Sequence, residues 1–427
     1  MHAKIAKKTS KMVSTTPSAH KEKENNVNPG AFDPNYVYLV KFKDGDFRES
    51  KIVEIKLIDD PNNTNSNIQR TPASYKYYVH YIGFNRRLDE WVMVDRMKKT
   101  DRLIESDKTN KKSKFDDATK KRKHSSDDEG LDPQSRKMHE QATKIKTVTE
   151  IVFGRHRAET WYFSPFPEKY HIDGCLYFCE YCLSFYVTNS ELERHMFSCK
   201  LVCPPGDQIY IDEERQIAIF EVDAIKNWAY CENLSYLAKL FLDHKFLLYN
   251  LDPFLFYVLT EIDEYGYHFV GYFSKNRELS DPHNLSCILM LPFFQKKGYG
   301  KFLINFSYEL SMIEGKVGTP EKPLSDLGRA SYISYWVQRL IEYFNRCDEE
   351  KLNNITINAI AKDTGIKDVD IIEALETVKI IKKVAGNIYL CLDKPLLEKL
   401  YRETGRPAIP VKVDKIHWIP YRQKYDN

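Results

Sequence analysis

Over the first hundred residues, apolar side chains recur in short alternating bursts. "YVYLVKF" (36–42), "ESKIVEIKLI" (49–58), "KYYVHYIGF" (76–84) and "EWVMV" (90–94) are rich in β-branched and aromatic residues. Gly, Asp and Asn punctuate them, which is the pattern of short strands. About five strands in under 70 residues predict a small all-β barrel over 33–100, with "DPNNTNSN" (60–67) as a long hairpin loop. From residue 150 a longer patterned region begins. "QIYID" and "QIAIFEVD" read as strands, "CENLSYLAKLFLDHK" as a helix, and "FLFYVLTEID" with "YHFVGYFSK" as a hairpin across "EYGY". "NLSCILML" then reads as a buried strand. "KFLINFSYELSMI" reads as a helix with Phe302, Leu303, Phe306, Leu310 and Ile313 on one face.

Beyond about residue 350 the pattern changes. "TINAIAKDTGIKDVDIIEALETVKIIKKVAGNIYLCLD" predicts two helices about Gly365, then a strand pair about Gly386 and Asn387. That is the outline of a helix-turn-helix with a wing, over 350–395. DNA binding is one reading and packing the other. Asp368, Asp370, Glu373 and Glu376 on the second helix favour packing, because phosphate repels them.

Two stretches lack any apolar period. Residues 1–30 carry six Lys against two Glu, a basic tail. Residues 105–144 carry eleven Lys/Arg and nine Asp/Glu with Phe115 as the sole aromatic, too little to bury. Both read as disordered, the second as a linker. Its "KKRK" (120–123) reads either as a nuclear import signal or as a solvated charge run. The N-terminus has no secretory core, and no run of 18 apolar residues exists, so no membrane span is expected. Nine cysteines, an odd number, then point to reduced thiols and a metal site in a nuclear or cytosolic protein.

Four of those thiol and imidazole positions have zinc spacing: Cys179-x2-Cys182-x12-His195-x3-Cys199. A knuckle holds the first pair. A helix in "NSELERH", capped by Asn189 or Ser190, brings His195 and Cys199 to one face. Four such ligands leave no open position, so the zinc is structural. Cys175 and Cys203 flank the motif with a poorer spacing.

Between "CILML" and the helix lies Gln295-Lys296-Lys297-Gly298-Tyr299-Gly300. Gly298 and Gly300 let the backbone approach a ligand, and a helix start offers unpaired N–H groups. Lys296, Lys297 and Lys301 add charge, giving a diphosphate cradle. A plain strand-to-helix glycine turn is the alternative. The Walker pattern is absent, and the Rossmann third glycine is missing.

The same stretch resembles the acetyl-CoA motif Q/R-x-x-G-x-G/A of GNAT-like acetyltransferases, in the form found in MYST histone acetyltransferases. "LAKLFLDHK", "DPFLFY", "VGYFSK", the segment after Gly298 and "PEKPLSDLG" match that family in order over about 150–345. "YYVHYIGFNRRLDEWV" (77–92) resembles the chromo-barrel, or tudor-knot, module, which points to the MOF/Tip60/Esa1 branch. Departures are Lys296 and Lys297 where the family has arginines, and Phe293 where it has a second proline. Lysine gives point charge without a bidentate fork.

The resemblance implies an α/β GNAT-like core (205–345), with a C2HC zinc finger (175–200) before it. A helix-turn-helix-like subdomain follows, all within 150–427, and a chromo barrel precedes. It implies acetyl transfer from acetyl-CoA to lysine ε-amines, with the histone H4 tail as expected substrate, in nuclear chromatin and within a multi-subunit complex. Residue by residue, it makes Glu321 the general base and the Ile288 amide, just after Cys287, an oxyanion donor. Ser325 becomes the leaving-group donor, and Ser334 lies near the cofactor. Ile288 and Met290 would pair with the pantetheine amides. Lys245 maps to a self-acetylated lysine. Cys287 is either a nucleophile or a bystander, and no neighbour in sequence would activate its thiol, which favours direct attack. Tyr78, Tyr81 and Trp91 would cage a methyl-lysine or stack on RNA or DNA, or else form the barrel core. The competing functions are a non-catalytic chromatin adaptor using barrel and finger, and a zinc-finger DNA-binding factor.

Overall fold

In the computed structural model, described residues are 28, 30–58, 70–104, 145–171, 173–243, 250–278, 281–384, 387–390, 392, 394–405 and 408–420. Nearly all of the basic tail, the charged linker with its "KKRK", the whole Asn-rich loop, Gly386 and Lys245 lie outside them. The chain divides into two units, Met1–Ser113 and Lys114–Asn427.

The first unit is one antiparallel sheet. Its strands are β1 (Tyr36–Lys41), β2 (Phe47–Leu57), β3 (Tyr75–Tyr81), β4 (Glu90–Val92) and β5 (Met97–Leu103), in the order β4-β3-β2-β1-β5. Strict alternation in β3 sends Tyr75, Tyr77, Val79 and Tyr81 into the core beside Tyr38, Val40 and Ile52. Tyr78, on the opposite face, is also buried and packs on Trp91 with ring centroids 5.3 Å apart.

The second unit opens with a four-stranded sheet of order β7-β6-β8-β9. It comprises β6 (Glu150–Phe153), β7 (His156–Glu159), β8 (Cys175–Phe178) and β9 (Phe185–Tyr186), followed by helix α1 (Asn189–Met196). The main sheet follows, made of β10 (Asp207–Asp212), β11 (Ile217–Asp223), β12 (Phe254–Asp263), β13 (Gly266–Asn276) and β15 (Cys287–Met290). Its order is β10-β11-β12-β13-β15, with every pairing antiparallel. Helix α2 (Trp228–Lys239) links β11 to β12, and its Cys231, Leu234, Leu237 and Ala238 are buried in the sheet's core. A separate parallel pair joins β14 (His283–Leu285) to β16 (Thr319–Pro320).

Helix α3 (Tyr299–Ile313) stands between two apolar cores. Phe302, Leu303, Phe306 and Leu310 enter the sheet's core, while Ile304 and Tyr308 enter a second one. Ile313, expected on the buried stripe, is 42% exposed because it lies on the last turn. Helix α4 (Asp326–Arg346) lines the second core. So do residues of α5 (Glu349–Asn353), α6 (Ile357–Thr364), α7 (Asp368–Thr377), the pair β17 (Ile381–Val384) and β18 (Asn387–Leu390), and α8 (Lys394–Glu403). Gly365 ends α6 at a φ of 73°, as a left-handed C-terminal glycine should. The chain then returns to the main sheet, where Ile416 bridges Tyr210 of β10 and His417 N–H donates to the Ile209 carbonyl at 2.8 Å. Among the described residues, no helix is long and apolar enough to cross a membrane.

Candidate active site and zinc centre

The zinc ligands converge as their spacing requires. In Cys179, Cys182, His195 and Cys199 the ligand atoms all lie within 4.8 Å of one another. Cys179 Sγ is 3.9 Å from Cys199 Sγ, and Cys182 Sγ is 3.2 Å from His195 Nε2. A tetrahedral ion with bonds of about 2.3 Å separates its ligands by roughly 3.7 Å, so the group fits Zn2+. Leu183, held at a φ of 61°, turns the knuckle, and its N–H donates to the Cys179 carbonyl at 2.9 Å. Helix α1 is capped by Thr188, not by Asn189 or Ser190. Thr188 Oγ1 accepts from Glu191 N–H at 3.3 Å, and the Glu191 carboxylate accepts in return from Thr188 N–H at 3.1 Å. The "TNSE" capping box was present in the sequence and would have given this start. Cys175 and Cys203 are not in the cluster.

The bend before α3 has alternating left-handed backbone. Lys296 has a φ of 62° and Gly298 a φ of 96°. A non-glycine residue there costs about 1–2 kcal/mol, strain of the kind concentrated at functional sites. Such alternation turns successive N–H groups into an anion-binding hollow. Gly298 is the N-cap of α3 and no side chain caps that end. The helix's positive end therefore faces the bend. Lys296 is exposed, and Lys297 lies over the Phe294 ring at 4.9 Å with Nζ 3.9 Å from Glu261 Oε1. Tyr299 donates its hydroxyl proton to Glu261 at 2.7 Å.

Two expected cofactor residues have partners within the fold. Lys301 Nζ donates to Gln338 Oε1 at 3.1 Å and to the Thr404 carbonyl at 3.4 Å, and burial lowers its pKa. Ser334 donates to the same Thr404 carbonyl. Both therefore anchor the turn after α8 to the helices beneath it. Of the three expected lysines, Lys296 and Lys297 are the ones exposed at the bend.

The main sheet's last strand presents an unpaired edge. Leu291 N–H donates to the Val270 carbonyl of β13 at 3.2 Å, with Met290 opposite Gly271. By the alternation of an antiparallel ladder, the N–H and C=O groups of Ile288 and Met290 face away from β13. No strand pairs with that side of β15 among the described residues. Gln295 reaches back, its Nε2 donating to the Met290 carbonyl at 3.0 Å, and so ties the bend to this edge. Cys287, half-buried, donates its N–H to Ser274 Oγ at 3.2 Å.

Glu321 comes to the same place through β14 and β16. Its N–H donates to the Leu285 carbonyl at 2.8 Å, two residues before Cys287, and the residue is exposed. Ser325 caps α4, its Oγ accepting from Gly328 N–H at 3.1 Å, which leaves its hydroxyl proton to donate. The structure thus brings Cys287, Ile288, Met290, Gln295 and the bend together, with Glu321 alongside. Sequence reasoning did not single out Asp370 and Glu373 in this setting, although both contact Lys322, next to Glu321.

In the first unit, Tyr78 and Tyr81 are buried, at 2% and 0% exposure, and so belong to the barrel's packing. Tyr81 donates to Glu90 Oε1 at 2.8 Å. Trp91 is partly buried, with Lys76 Nζ 5.2 Å from its ring centre.

Comparison with known proteins agrees with this geometry. Residues 203–416 match the model of the MOZ/SAS family, and 145–199 that of the MYST family zinc finger domain. Residues 32–99 match a model described as the RNA binding activity-knot of a chromodomain. The putative MYST-like histone acetyltransferase 1 of Oryza sativa subsp. japonica is 44% identical over 390 residues, spanning 88% of this chain and 84% of the relative. Histone acetyltransferase of the MYST family 1 from Arabidopsis thaliana is 43% identical over 389 residues, with 88% and 84% covered. Histone acetyltransferase ESA1 of Saccharomyces cerevisiae is 35% identical over 397 residues, with 83% and 88% covered. These matches set aside the adaptor and DNA-binding readings, and the chain belongs to the MYST family of histone acetyltransferases.

Proposed function

We propose that the chain transfers the acetyl group of acetyl-CoA to lysine ε-amines on histone tails, with histone H4 the expected substrate, in nuclear chromatin and within a multi-subunit complex. The observation that carries the reading is the Glu321 N–H to Leu285 hydrogen bond of 2.8 Å. It holds the Glu321 backbone beside Leu285, two residues before the strand whose outward edge runs into the bend, and this supports reading its carboxylate as the base. The residue roles, and the division into a barrel at 33–100, a zinc finger at 175–200, a core at 205–345 and a helix-turn-helix-like region at 350–395, are part of the proposal.

When bound, acetyl-CoA supplies a thioester carbonyl as electrophile. The bend at Lys296 to Gly300 holds the diphosphate with backbone N–H groups and two lysines. The outward amides of Ile288 and Met290 hold the pantetheine arm as an added strand would. A lysine side chain has a pKa near ~10.4 and is an inert ammonium at neutral pH. Glu321 accepts its proton, and the freed amine attacks directly. The Ile288 N–H stabilises charge growing on the carbonyl oxygen. Ser325 donates to the departing sulfur. Cys287 is read as a neighbour of the reacting carbon, not as a nucleophile. Self-acetylation at Lys245 is likewise proposed. Burial of Tyr78 and Tyr81 supports Trp91 as the barrel's contact to RNA, DNA or methyl-lysine. Radiolabelled acetyl transfer to nucleosomes with site mapping tests the substrate. Label on the H4 tail is expected, and label confined to other histones contradicts that assignment.

A further inference from the structure

Two acids on the second helix of the helix-turn-helix-like region, Asp370 and Glu373, are engaged by the protein itself. Asp370 of α7 is fully buried. A buried carboxylate is costly unless paired, and both of its partners come from one short segment. Thr319 Oγ1 donates to Asp370 Oδ2 at 2.6 Å, and Lys322 Nζ stands 2.9 Å from Asp370 Oδ1. These two residues bracket Pro320 and Glu321. Glu373, on the same face of α7, lies 3.4 Å from Lys322 Nζ and 2.8 Å from Arg329. The backbone is joined as well. Gly318 N–H donates to the Gly365 carbonyl at 2.7 Å, and Lys367 N–H to the Gly318 carbonyl at 3.1 Å. A Cβ on Gly318 would stand 2.4 Å from Asn284 Nδ2, so this strand threads closely between β14 and the turn before α7. Lys322 is turned onto α7, while its neighbour Glu321 is exposed.

We infer that Asp370 is a positioning residue for acetyl transfer: it grips Thr319 and Lys322 and thereby fixes the segment that carries Glu321 beside β15. The inference rests on the reading of Glu321 as the base. A base must stand within hydrogen-bond reach of the proton it takes, and a displacement of about 1 Å costs on the order of 100-fold in rate. Asp370 touches no reacting atom. Its effect passes through Glu321.

The test is a set of variants in the full chain, assayed with histone peptide and acetyl-CoA. Asp370→Asn is expected to lower kcat by about tenfold or more, with acetyl-CoA affinity by calorimetry unchanged. In a Glu321→Gln background the same change is expected to cause no further loss, because the positioned group is already gone. An equal loss in both backgrounds marks a merely structural role and overturns the inference, as does an unchanged kcat. Should Asp370→Asn fail to fold, Lys322→Met removes one of the two grips from a partly exposed position and is read in the same way. Lys322→Arg is expected to restore most of the rate. Full activity in Glu321→Gln alone overturns the base assignment itself. Loss in Glu321→Gln with none in the Asp370 and Lys322 variants overturns only the positioning.

Discussion

A side chain at Gly298 would have to sit at a φ of 96°, a conformation L residues rarely adopt, with its Cβ 3.3 Å from Ile409 Cγ1. That one residue aims the uncapped end of α3. Gly298→Ala is expected to cost about 1–2 kcal/mol of backbone strain. Calorimetry should show acetyl-CoA binding weakened about tenfold, the equivalent of 1.4 kcal/mol. An unchanged affinity contradicts the cradle. At this scale the sequence was most informative where partners are close along the chain. The zinc ligands and the glycine bend were legible because their chemistry is set by spacings of a few residues. Lys301, expected at the cofactor for its charge, and Ser334, expected there from the resemblance, both reach Thr404, 103 and 70 residues away. No local pattern announces such a partner.

Elements show the same division. The strands, the hairpin of β12 and β13 and helix α3 followed from apolar periodicity, since one face or both had to be buried. The returning segment after α8 did not, because it has little regular structure. It holds to β10 by ion pairs. Asp212, with no exposed side-chain surface, accepts from Lys412 Nζ at 3.1 Å and Arg215 Nη1 at 2.9 Å. Burial pushes this carboxyl up, but the two cations more than offset it and hold it below the usual range. A carboxyl lowered in the folded state stabilises above its unfolded value of about 3.9, and this is lost as pH falls through the folded pKa. Melting temperatures from pH 7 down to pH 3 should therefore show wild type well above Asp212→Asn at neutral pH. The gap should close below about pH 4. A gap constant across that range contradicts the assignment.

At the scale of the molecule, two apolar cores in the larger unit share α3, so the bend at Lys296 to Gly300 is seated on both. Family membership was legible because the motifs occur in the right order over a long stretch. What sequence could not give is the partner of Asp370 and Glu373, which lies across the fold on Lys322, next to Glu321. On the proposed reading, Glu321 takes the proton from the incoming amine while the bend holds the donor. The most direct measurement is single-turnover acetyl transfer by Glu321→Gln at saturating acetyl-CoA, with affinity for acetyl-CoA determined on the same protein. Undiminished binding is expected, with a rate lower by about 100-fold or more at neutral pH and partial recovery as pH rises and the amine deprotonates on its own. Wild-type rates in Glu321→Gln across that pH range would contradict it.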